Sequence, residues 1–60
     1  MFAIFAKQKG RWKFYSFLSN SEQLQSELNH LKDQDTPAVS QPMHSLDVEK
    51  IHDIESKLNS

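Results

Sequence analysis

Sixty residues, a net charge of −1 and no cysteine confine the chain to one small domain without disulfides or a thiolate zinc site. A chain this short buries only about 60% of the surface its unfolded form exposes, so it must rely on close packing or on association. No apolar run approaches the ~20 residues of a membrane span, and "MFAIFA" is too short for a signal sequence and has its charges after it rather than before. The polar run "KQKGR" interrupts any apolar face of an interfacial helix, so no membrane partner is expected. Lack of cysteine fits a reducing compartment, and a cytoplasmic location is the expectation.

The small net charge hides an asymmetry. Lys7, Lys9, Arg11 and Lys13 are the only charged residues before Ser19, while from Ser19 onward eight acids face three lysines. Such a division marks either a nucleic-acid or membrane contact or two halves that attract each other.

Taken in chain order, Phe2 to Leu18 reads as a β-hairpin. Phe2, Ile4 and Phe5 on one side and Trp12, Phe14, Tyr15 and Phe17 on the other are strand formers. The chain's single glycine, Gly10, lies between them. A three-residue loop, Gln8-Lys9-Gly10, closing on a G1 bulge predicts Lys7 opposite Arg11, Phe5 opposite Lys13 and Ile4 opposite Phe14. Alternation then sorts Phe2, Ile4, Ala6, Trp12, Phe14 and Leu18 onto one apolar face. Ala3, Phe5, Lys7, Arg11, Lys13, Tyr15 and Phe17 fall on the other, mixed face.

A helix is predicted from about Asn20 or Ser21 to about Lys32 or Asp33. Ser19 with Glu22, or Asn20 with Gln23, has the spacing of a capping box. Leu24, Leu28 and Leu31 form its apolar stripe, the expected cover for Trp12 and Phe14. Residues 1–33 thus form a ββα unit. Residues 34–44 contain both prolines and no periodicity, and read as a flexible linker. Residues 45–60 read as a second amphipathic helix, capped by Ser45 or Asp47, with Val48, Ile51, Ile54 and Leu58 as its stripe. The fold class is α+β: a two-stranded antiparallel hairpin, a helix, a linker and a C-terminal helix.

Chemistry is sparse. His30, His44 and His52 lack the i, i+4 spacing of a helical metal pair, and neither a metal nor a cofactor is expected. A single glycine excludes a nucleophile elbow and a phosphate-cradling loop, and a scaffold this small has little room for a preorganised pocket, so no enzyme is expected. A hairpin alone leaves two unpaired edges, and uncharged "FAIFA" is a segment that must be paired or covered. These features favour a regulatory or adaptor protein that works through a protein partner or as a homodimer. The candidate contact residues are Phe5, Tyr15 and Phe17 on the hairpin and Val48, Ile51, Ile54 and Leu58 on the second helix, which is expected at an interface or loosely attached. The alternative is single-stranded nucleic acid, held by Lys7, Lys9, Arg11 and Lys13 with Tyr15 and Phe17 as stacking platforms.

Overall fold

The computed structural model describes residues 1–60. Its elements are β1 (Phe2–Gln8), β2 (Arg11–Leu18), α1 (Ser21–Asp33), β3 (Ala38–Pro42) and α2 (Val48–Leu58). The α+β class and the opening hairpin followed by a helix agree with the sequence reading. The sheet has three strands rather than two, all antiparallel, in the order β2-β1-β3.

The hairpin turn is one residue shorter than expected. Lys9 and Gly10 both have positive φ, 54° and 81°, and Gln8 pairs with Arg11. This is a two-residue turn of the I′ kind, whose twist matches that of the strands it joins. The change shifts the register by one residue, so Lys7 faces Trp12, Ala6 faces Lys13 and Phe5 faces Phe14. A one-residue shift moves side chains to the opposite face. Trp12 and Phe14 therefore do not lie under the leucines of α1, as the longer loop implied. Beyond Phe14 a bulge leaves Tyr15 unpaired, and pairing resumes with Ile4 opposite Ser16, Ala3 opposite Phe17 and Phe2 opposite Leu18. The bulge restores the expected parity, which is why Leu18 does sit on the α1 face.

Each face of the sheet has its own helix. On one, Ile4, Ala6 and Leu31 form a buried cluster with Leu18, Leu24, Leu28 and Ala38 packed around it. On the other, Ala3, Phe5, Met43 and Ile51 are buried, flanked by Trp12, Phe14 and Phe17 from the sheet and by Ile54 and Leu58 from α2. The rings of Phe5 and Phe14 meet edge to face, with centroids 5.9 Å apart. α2 is thus a layer of the fold and closes the aromatic face within the chain. The central strand explains the uncharged run "FAIFA": Ala3 to Ala6 are at most 1% exposed because one helix covers each face.

Both helices begin on capping side chains. Asn20 Oδ1 accepts the Glu22 N–H at 2.7 Å, and Asp47 Oδ1 accepts the Lys50 N–H at 3.3 Å. The end of α1 corrects the linker expectation for residues 34–44. Asp35 takes a left-handed φ of 55°. Its N–H donates to the Lys32 carbonyl at 3.0 Å, and the Thr36 N–H donates to that of Leu31 at 2.9 Å. That is a Schellman ending with aspartate where glycine is usual. It returns the chain to the sheet, where Ala38 to Pro42 pair with β1 from Ala6 back to Phe2. Pro42 is accommodated because its missing N–H would point outward from an edge strand, and Pro37 because it precedes the strand and supplies only its carbonyl, to the Lys7 N–H.

The Cα envelope measures 28 × 27 × 11 Å. Three strands about 4.8 Å apart span roughly 10 Å, close to one helix diameter. The protein is therefore a slab one sheet-width thick. The edges of the sheet run along its two broad sides.

Candidate functional site

The sequence candidates separate into three environments. Phe5 is wholly buried and Ile51 is 6% exposed; both are corrected from contact residues to core. Phe17, Ile54 and Leu58 are half-buried and pack against the α2-side cluster. Tyr15, at the bulge, and Val48, at the start of α2, remain exposed, as does Leu46 just before the Asp47 cap. The apolar stripe of α2 is spent on its own sheet, because its leucine and isoleucines replace the cover that α1 cannot provide on that side.

Lys7, Lys9, Arg11 and Lys13 are all exposed around the turn. The two-residue turn divides them, however. Lys13 pairs with Ala6 and belongs to the α1 side, whereas Lys7 pairs with Trp12 on the α2 side. Phe17 lies on the α2 side as well. The interleaving of cations and aromatics expected on one face is broken, and Tyr15 is the one exposed side chain among the phenylalanines, tyrosine and tryptophan.

The polar groups with a specific arrangement are those of the sheet edges. Hydrogen-bonded and non-hydrogen-bonded pairs alternate along an antiparallel ladder, and the pair flanking a two-residue turn is bonded. Arg11 and Lys13 thus direct their backbone groups toward β1, and Trp12 and Phe14 direct theirs outward. Two side chains at the end of α2 receive three of these groups. Asn59 Oδ1 accepts the Trp12 N–H at 2.8 Å, and its Nδ2 donates to the Trp12 carbonyl at 3.0 Å. Glu55 Oε2 accepts the Phe14 N–H at 2.8 Å. The spacing fits: four helical residues rise about 6 Å and two strand residues about 6.6 Å. These bonds occupy the part of the hairpin edge nearest the turn, and the Tyr15 bulge interrupts the ladder beyond it.

β3 is different. The Lys7 N–H donates to the Pro37 carbonyl at 2.9 Å, and the Met43 N–H donates to the Met1 carbonyl at 2.8 Å. Val39 and Gln41, two and four residues from Pro37, therefore also face β1. Ala38, Ser40 and Pro42 turn their backbone groups outward, and no side chain hydrogen-bonds to them. The strand carries no charge, in contrast to β2 with Arg11 and Lys13. Beside it lies an open groove lined by Leu28 and Lys32 of α1 and by Asp35, Thr36, Pro37 and Ala38.

Sequence reasoning missed both edges. Glu55 and Asn59 stand one helical turn apart, next to the apolar stripe, and that spacing was the available signal. The segment "AVSQP" was obscured by Pro42 within it and Pro37 just before it.

The remaining titratable groups are dispersed. His30, His44 and His52 are exposed, and His52 Nδ1 lies 3.5 Å from Glu55 Oε1. No three histidine or acidic side chains converge on a common point, and no helix is long and apolar enough to cross a membrane. Comparison with protein families, with characterised proteins and with solved structures finds no match to this chain.

Proposed function

We propose that this is a small non-enzymatic regulatory or adaptor protein that acts through contact with another protein chain, by strand addition at β3. The observation that carries this reading is the inequality of the two edges: Asn59 and Glu55 occupy both outward groups of Trp12 and the outward N–H of Phe14 on β2, while the outward groups of Ala38 and Ser40 have no side-chain partner. An uncharged, open edge strand is a template for an added strand, whose backbone bonds supply affinity and whose flanking grooves supply selectivity. Ser40→Pro removes an outward N–H without removing a bond to β1. A bait carrying that change should lose the proteins that wild type retains from a cell extract treated with nuclease. Identical retention by both baits would sink the proposal.

A second reading places single-stranded nucleic acid at the turn. It is supported by four exposed cations, Lys7, Lys9, Arg11 and Lys13, with Tyr15 nearby in sequence as the one exposed ring. Its support is electrostatic more than aromatic, since Phe17 packs into the core.

A further inference from the structure

We infer that the strand added to β3 is β3 of a second copy, in an antiparallel register centred on Ser40. The inference rests on the strand-addition reading and names its occupant. Hydrogen-bonding complementarity comes first. With Ser40 opposite Ser40 of the other copy, each serine N–H donates to the other's carbonyl. Ala38 then lies opposite Pro42. Its N–H meets the proline carbonyl, and this is done twice by symmetry. Every outward N–H of the edge finds an acceptor, and proline falls where only its carbonyl is needed. The overlap uses all five residues of β3. A register centred on Val39 would overlap only Ala38 to Ser40 before running into Pro37 and the Thr36 N–H, which is already bonded to Leu31.

Shape gives the second argument. The edge runs along a broad side of the slab, whose 28 × 27 Å outline is on the order of 750 Å², against ~800 Å² per partner in a standard interface. A two-fold axis perpendicular to the sheet sets α1 beside α1 and α2 beside α2, as an isologous contact requires. The groove along the seam carries one cation, Lys32, and one anion, Asp35, so two copies bring together equal numbers of each sign. The product is a six-stranded sheet ending on both sides in a β2 edge occupied by Glu55 and Asn59.

Sedimentation equilibrium of the full chain from micromolar to millimolar concentration should show a monomer–dimer equilibrium. Ser40→Pro should weaken the dimer at least tenfold. Gln41→Lys provides a second variant, because Gln41 is exposed and this register sets the two lysines diagonally across the seam, within reach of mutual repulsion. Because the chain has no cysteine, Ser40→Cys introduces its only thiol. Opposed bonded residues are about 5.5 Å apart at Cα, within disulfide range, so mild oxidation should link two copies through that position. A monomer at every concentration overturns the inference, as does a dimer that both Ser40→Pro and Gln41→Lys leave unchanged. A monomer that still retains other proteins in a Ser40-dependent way overturns the second copy as occupant and leaves strand addition standing. Loss of both would remove the two together.

Discussion

Asn59 and Trp12, 47 positions apart in sequence, exchange two hydrogen bonds of 2.8 and 3.0 Å between a side-chain amide and a strand backbone. The amide supplies an acceptor and a donor in the positions that a neighbouring strand residue would. Asn59→Asp keeps the acceptor, loses the donor and sets a negative charge beside the Trp12 carbonyl. The change should destabilise by about 1–3 kcal/mol, lowering Tm by roughly 4–8 °C per kcal/mol in a domain of this size. Glu55→Gln preserves an acceptor for Phe14 and should stay within about 1 kcal/mol of wild type. Thermal unfolding followed by circular dichroism checks both, and an unchanged Tm for Asn59→Asp would refute the edge-capping role.

The register makes a sharper claim about partners. Phe14 and Ile54 pack against the same α2-side cluster, whereas Leu24 packs against the other. A double-mutant cycle between Phe14→Leu and Ile54→Val should show coupling of about 0.5 kcal/mol or more, while Phe14→Leu with Leu24→Ala should be additive within roughly 0.5 kcal/mol. The reverse pattern would restore the three-residue loop. Phe5→Ala is more drastic: truncating a fully buried phenylalanine costs about 3–5 kcal/mol. That is comparable with the entire stability of a 60-residue domain at roughly 0.05–0.15 kcal/mol per residue. The variant should be largely unfolded at 25 °C by near-ultraviolet circular dichroism.

Two residues occupy backbone conformations that favour glycine. Asp35 and Lys9 have φ of 55° and 54°. Asp35→Gly should raise stability by about 0.5–1 kcal/mol, since it relieves a left-handed side chain at some cost in unfolded-chain entropy. At Gly10 an added methyl meets nothing within 4 Å, yet φ is 81°. Gly10→Ala should therefore cost about 1–2 kcal/mol through backbone strain alone. Denaturant midpoints at constant m-value test all of these changes. A neutral Gly10→Ala would argue against the two-residue turn.

If the basic turn holds single-stranded nucleic acid, each phosphate contact contributes about −0.7 to the slope of log K against log salt. Four cations limit that slope to roughly −3. Arg11→Gln should reduce it by about one contact, and Tyr15→Ala should weaken binding without unfolding the protein. Fluorescence anisotropy with labelled oligonucleotides at low salt decides the matter, and no binding there removes the reading.

What was legible in the sequence follows from how local each signal was. The bounds of α1 came from Ser19 or Asn20 as cap and three leucines, all close in sequence. The start of α2 came from Ser45 or Asp47 in the same way. The hairpin was visible because Gly10 interrupts two aromatic runs, but its register was not. One residue of loop length decides the register, and Lys9 gave no sign that it would accept a positive φ. β3 was hidden for a related reason. Asp35 performs a turn that usually advertises itself with glycine, and Pro37 and Pro42 speak against a strand unless the strand is an edge. The bonds from Glu55 and Asn59 to β2 join residues more than forty positions apart, so the one-turn spacing of the pair does not by itself name the strand it meets.

The placement of β1 between two ladders and two helices has a kinetic consequence. Its amides alternate between β2 and β3 as partners, so fraying either outer strand releases only half of them. Those of Ala3 to Ala6 should exchange with solvent only when the whole molecule opens, at the free energy of global unfolding. In the monomer, the outward amides of Ala38 and Ser40 should exchange orders of magnitude faster on the neighbouring strand. Deuterium uptake would then step from slow to fast within 5 Å, the width of a single ladder.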